Sequence, residues 1–189
     1  SFINIGRLTS EGIDYNLLLT KDFEAFGKPF DLSLDVRLSQ LFEQVVEVLG
    51  SIDDNKGETE SPTWRGNANL IVRTGDVRFN WFTRWIGKGK EEEPGLGFDV
   101  ACPAPGPNRP LSTGVRCQPV YFTGNYFVHN ASVTWAPGDW VITAGLRNVF
   151  DRGPELVDAD GVFSVYNVPI GVGYDLQGRT AFVSARKTF

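Results

Sequence analysis

The stretch FDLSLDVRLSQ, residues 30–40, decides the fold class. Its even positions are Phe30, Leu32, Leu34, Val36 and Leu38, and its odd positions are Asp31, Ser33, Asp35, Arg37 and Ser39. A helix of period 3.6 would mix these two sets, whereas a strand sends them to opposite faces. Working outward, the same alternation recurs. Ile13, Tyr15, Leu17 and Leu19 share a face, as do Ala68, Leu70 and Val72, and Val77, Phe79, Trp81 and Trp85. Further on, Phe127, Ala131, Val133 and Trp135 form a set, then Trp140, Ile142, Ala144 and Leu146, and finally Ala181, Val183, Ala185 and Phe189. Seven strands are expected, the last spanning Arg179–Phe189, with a single sheet and no internal repeat or linker.

The connections also alternate. Three are short, at Glu24–Lys28, Thr74–Asp76 and Ala136–Asp139; three are long, at about Val45–Ser61, Lys88–Tyr121 and Asp151–Gly178. Loops beyond about 15 residues are uncommon in compact soluble domains. Short turns at one end and long loops at the other are the habit of outer-membrane barrels. Within 189 residues there are 14 Phe, 5 Trp, 5 Tyr and no Met, and the 41% apolar share is unlike that of a disordered chain. No uncharged run is apolar enough for a spanning helix, which needs about 20 residues, but spanning strands leave no such signal. The net charge of −5 offers no general electrostatic draw toward nucleic acid or anionic lipid, and no nucleic acid is expected as a partner.

The polar face carries the second discriminator. It holds Arg37, Arg65, Arg73, Arg78, Arg84, Arg147 and Arg186 with Asp14, Asp31 and Asp35, and no lysine. A sandwich face turned to bulk water would favour Lys, Glu and Thr. Arginine suits enclosed networks, because its planar fork stays charged and pairs bidentately. Trp64, Trp81, Trp85, Trp135 and Trp140 are read near strand ends, where membrane interfaces enrich Trp. The expected architecture is therefore all-β, an antiparallel transmembrane barrel segment. The alternative is a secreted or surface β-sandwich that binds or adheres.

The C-terminal quarter resembles the end of TonB-dependent outer-membrane receptors. Residues Asn148-Val149-Phe150-Asp151-Arg152-Gly153-Pro154 match the family's Asn-Leu-Phe-Asp close of the penultimate strand. Tyr174-Asp175, a short spacer and Gly178-Arg179 match the approach to the last strand, which ends on an aromatic, here Phe189. Upstream, Asn4–Asp14 is similar to a strand carrying a Gly-Val-Glu core, and Pro62-Thr63-Trp64-Arg65-Gly66 to a Pro-x-Trp-x-Gly strand start. One departure is Lys187, two residues before the end, where the family usually has an apolar residue. A lysine there can snorkel to headgroups.

This resemblance implies that residues 1–189 are the C-terminal part of a barrel of about 22 strands, without the plug domain that fills it. It implies active import of a scarce nutrient, such as a ferric siderophore, with TonB engaged through a missing N-terminal part. It places the chain in the outer membrane of a Gram-negative bacterium, with the C-terminus periplasmic and the long loops extracellular. Lipid, the plug, the rest of the barrel and a small-molecule substrate are the implied partners. The edge at Gly12–Thr20 is expected to pair with a preceding strand, and Arg179–Phe189 with the barrel's first strand. The seven arginines would face the lumen, contacting substrate or, as the blander reading, bracing strands and pairing with plug acids.

Other features carry plainer readings. Cys102 and Cys117 share the longest loop and are expected to form a disulfide, since two cysteines without a nearby His make a poor zinc site. His129, the single histidine, falls on the apolar register and reads as a satisfied interfacial residue. The acids Asp53, Asp54, Glu58, Glu60 and Glu91–Glu93 fit no calcium-loop spacing and read as solvated charge. No catalytic arrangement, metal site or cofactor is expected.

Overall fold

The computed structural model describes residues 6–90, 122–157 and 164–188. Within them the chain is all-β. The strands are β1 (Gly6–Ala25), β2 (Lys28–Val48), β3 (Ser51–Asp54), β4 (Trp64–Thr74), β5 (Val77–Ile86), β6 (Gly89–Lys90), β7 (Phe122–Thr123), β8 (Tyr126–Trp135), β9 (Trp140–Arg147), β10 (Ser164–Val165), β11 (Val168–Pro169) and β12 (Thr180–Lys187).

Seven of them form one path, β1-β2-β4-β5-β8-β9-β12, with every neighbour antiparallel and β3 lying against the far end of β2. The sheet is not closed. Strands β1 and β12 end the path, and no pairing joins them among the described residues.

The seven expected strands are all present, but the first two are longer than the alternation indicated. β1 has 20 residues and β2 has 21, so the segment read as a loop from Val45 begins as strand. The chain then reverses at Leu49-Gly50, both at positive φ (51° and 85°), and returns as β3. The other long connections carry the β6–β7 pair at the base of one and the β10–β11 hairpin inside another. At the opposite end the turns are tight. Phe26-Gly27 is a two-residue connection with both φ positive (53° and 67°), the mirror-type geometry whose twist suits a hairpin.

Register sets the two faces. On the apolar face, Leu19, Leu34, Leu70, Trp81, Ala131, Leu146 and Ala181 form one cross-strand row, and Leu32, Val72, Phe79, Val133, Ala144 and Val183 the next, which Lys21 of β1 begins at the sheet edge. These side chains stay open to their surroundings: Leu19 is 49% exposed, Val133 46% and Val183 76%. Leu32, Leu34 and Val36 are only half-buried, so the core that a sandwich builds on such a face is missing among the described residues.

The buried cluster lies on the other side. Ile86, Tyr126 and Val128 stand in the polar-face register at the long-loop end, and Val172 and Tyr174 of the last long connection pack onto them. Alternation alone groups Val128 with Asn130, Ser132 and Thr134 on the polar face. It is apolar because a folded-back segment covers it there.

The apolar stripe has a defined upper border. A register shift between Glu11 and Gly12 leaves Phe42 as the extra residue, and beyond it Glu11 faces Glu43 and Arg7 faces Glu47. Past this bulge, charged residues take over positions that continue the apolar face.

Candidate functional site

All seven arginines singled out in the sequence fall on one face. Arg37 stands opposite Asn67, which stands opposite Arg84; Arg73 stands opposite Asp31 and Arg78; Arg65 is opposite Ser39. Arg147 and Arg186 continue the face through Thr180 and Val141. Two of the seven are ion-paired, one within its strand and one across strands. The Arg37 guanidinium donates twice to the Asp35 carboxylate, and Arg73 donates to Asp31 at 2.9 Å across the β2–β4 pair. Asp14 accepts from the Ser39 hydroxyl at 2.6 Å. Arg65 donates to the Glu60 carbonyl. Arg78, Arg84, Arg147 and Arg186 form no ion pair among the described residues.

Arg84 and Arg147 share a cavity of about 370 Å³ with Asn130, Tyr174, Asp175 and Gln177. Its roof is the chain that leads into β12. Tyr174 meets Tyr126 edge-on at 4.7 Å, the Asp175 amide donates to the Tyr126 hydroxyl, and that hydroxyl donates to the Arg152 carbonyl. Arg152 lies over the Tyr126 ring and pairs with Glu155. Burial pushes the Tyr174 phenol above its ordinary pKa, with Thr123 beside it acting in the opposite direction; its hydroxyl makes no hydrogen bond of standard geometry. A cavity walled by two guanidiniums, two carboxamides, one phenol and the Asp175 carboxylate can hold a strongly hydrogen-bonding group, with the two guanidiniums offered to an anionic part of it.

The motif residues at the two ends of the last long connection meet in space. Asn148 is fully buried at positive φ (47°); its side chain accepts from the Arg152 amide and donates to the Arg152 carbonyl, while its own amide donates to Asn130. Asp151, also at positive φ (55°), accepts from the Arg179 amide at 2.7 Å. A Cβ on Gly178 (φ +73°) would come within 2.9 Å of the Asp151 carboxylate. Asn148 and Asp151 thus tie the end of β9 to the start of β12. Phe150 points the other way, into the apolar-face rings of His129 and Trp81.

The chain matches no family model, no curated protein and no solved structure.

His129 sits on the apolar face, its Nδ1 at 2.9 Å from the Thr83 hydroxyl. Around it runs a belt of ring contacts, Tyr15–Trp64–Trp85–Phe127–His129, at centroid spacings of 6.0–6.5 Å. A second set lies at the tight-turn end: Phe23 stacks on Phe30 at 5.3 Å, and Lys187 covers the Trp140 ring at 5.4 Å. Trp81 departs from the expected pattern. It stands mid-strand in β5, between the two belts, against Phe79, His129 and Phe150.

Asp54 is accounted for locally, accepting from the Gln44 and Lys56 amides. No group of three or more His, Cys, Asp or Glu among the described residues is placed to hold a metal ion. Cys102, Cys117, Glu91–Glu93 and Phe189 lie outside the described residues. Sequence reasoning missed Tyr126, and it quoted Arg152 only as part of the motif, without a role. The available signal was Tyr126 in a polar-face register, a large ring where alternation asked for a small polar group.

Proposed function

We propose that this chain forms part of the wall of an outer-membrane barrel belonging to a TonB-dependent receptor that imports a scarce, anion-bearing nutrient such as a ferric chelate. One observation carries the membrane part: the exposed apolar band lies between two aromatic belts, opposite a face lined with arginine. From Tyr15 to Phe23 the band is eight residues tall; at about 3.3 Å per residue and a tilt of about 40° it spans roughly 20 Å, near the apolar height of such barrels.

In water each exposed Leu, Val or Phe of that band would forgo about 1.5–3 kcal/mol of burial, and the contiguous patch would aggregate. Lipid removes both problems. The open edges of β1 and β12 carry backbone groups that lipid cannot satisfy, each costing several kcal/mol, so further strands pair with them in the complete wall.

The transport part rests on the motif resemblance, supported by the way Asn148, Asp151, Gly178 and Arg179 converge. In this reading the arginine face looks into the lumen. Arg73 ties β4 to β2, while Arg84 and Arg147 meet the cargo or a plug. The test is uptake. The parent protein should fractionate with the outer membrane, and growth on a limiting chelated nutrient should fail when either its gene or TonB is deleted. Recovery as a soluble protein without detergent would overturn the membrane reading, and uptake independent of TonB would overturn the energised one.

A further inference from the structure

Just above the upper aromatic belt the outer surface is indented. A cleft of about 550 Å³ is lined by Trp64, Trp85, Lys88, Lys90, Phe122 and Asn125. Trp64 and Trp85 stack at 6.5 Å, and the Trp85 indole N–H donates to Asn125 at 3.1 Å, which fixes the ring. The floor is backbone. A Cβ on Gly87 would come within 2.6 Å of the Trp64 carbonyl oxygen, and one on Gly89 within 2.6 Å of the Glu58 carbonyl oxygen, so glycine keeps the strands this close.

Lys88 and Lys90 are exposed, and neither forms an ion pair among the described residues. Going up the face, the order is aliphatic rows, paired indoles, then ammonium groups.

We propose that this cleft binds the net-anionic phosphate headgroup of a lipid in the surrounding leaflet, in preference to a zwitterionic one. Lys88 and Lys90 contact the phosphate, the paired indoles take the interfacial region, and the acyl chains lie along the apolar rows below. The assignment rests on the membrane reading and specifies which lipid meets this part of the wall. A free anion would leave the indoles unused, and an uncharged lipid would leave the lysines unused.

The full-length protein is inserted into nanodiscs of phosphatidylcholine doped with phosphatidic acid, and the retained lipids are weighed by native mass spectrometry. Phosphatidic acid should be enriched on the wild type. The K88Q/K90Q variant should lose that enrichment by about 25-fold, at about fivefold per lysine, whereas K28Q at the opposite end should keep it. Excess inorganic phosphate should not displace the lipid; displacement would make this a free-anion site and overturn the assignment. Unchanged enrichment in K88Q/K90Q would also overturn it, leaving the lysines to the acidic run Glu91–Glu93. A protein that enters nanodiscs with no lipid preference refutes this proposal alone, and one that does not enter refutes the membrane reading with it.

Discussion

Asn148 occupies a left-handed backbone position and buries an amide that no other side chain would satisfy in the same way. Two hydrogen bonds to the Arg152 backbone depend on it. Asn148→Ala should therefore destabilise the protein by about 2–4 kcal/mol, from an unpaired buried carbonyl and amide plus left-handed strain. Chemical unfolding from detergent micelles measures it, and a loss under about 0.5 kcal/mol would contradict the buried-anchor role. Tyr174 offers a pH handle. Because its phenol titrates above its ordinary value, the neutral form favours the fold; that contribution is complete below the ordinary tyrosine value near 10 and fades as pH climbs through the raised one. Tyr174→Phe should leave stability at neutral pH almost unchanged, since the hydroxyl makes no standard hydrogen bond, and should flatten the alkaline decline. Unfolding midpoints taken from about pH 8 to about pH 11 check both halves.

Among the elements, β4 depends most on what it lacks. Gly66 stands in the row between Leu38 and Trp85, and a Cβ there would meet Leu38 Cδ2 at 2.4 Å and the Arg37 carbonyl oxygen at 2.9 Å. The leucine can swing away; the carbonyl belongs to the β2–β4 ladder and cannot. Gly66→Ala should cost about 1–3 kcal/mol, while Gly153→Ala, with nothing within 4 Å, should stay within about 0.5 kcal/mol of wild type. Equal effects in an unfolding assay would mean that the sheet yields at Gly66. The same strand explains why the Pro-x-Trp-x-Gly similarity falls where it does. The Trp enters the upper belt, and the Gly two residues later admits the neighbouring strand's side chain.

For the whole molecule, the question is which face meets which medium. Leu34 lies at the centre of the apolar band, and its neighbour Ser33 faces the arginines. Under the membrane reading, Leu34→Arg should cost about 2–4 kcal/mol of folding into lipid vesicles, whereas Ser33→Arg should cost little, because lumenal changes spare the lipid contact. Vesicle-folding yields against urea compare the two directly. A larger penalty for Ser33→Arg would invert the faces and sink the barrel-wall assignment.

The sequence by itself determined the strand class, all seven principal strands, their two faces and the grouping of the arginines. Period-two alternation is a local property that a 3.6-residue helix cannot mimic, and antiparallel pairing through short turns preserves it from strand to strand. Only the tertiary structure decided where the buried cluster sits and how the motifs meet. Val128, Ile86 and Tyr126 gain their burial from residues about 40–90 positions later in the chain, and Asp151 reaches Arg179 across a long connection. Such contacts leave no periodic trace, because loop closure fixes them through a few specific hydrogen bonds rather than through a repeating pattern. The length of β1 and β2 escaped for a related reason. Beyond the Glu11–Gly12 bulge the continuation of the apolar face carries Arg7, Glu11, Glu43 and Glu47 while the other face carries Leu8, Val46 and Val48, so the face pattern set by Ile13–Leu19 and Phe30–Leu38 stops while the hydrogen-bonded ladder continues.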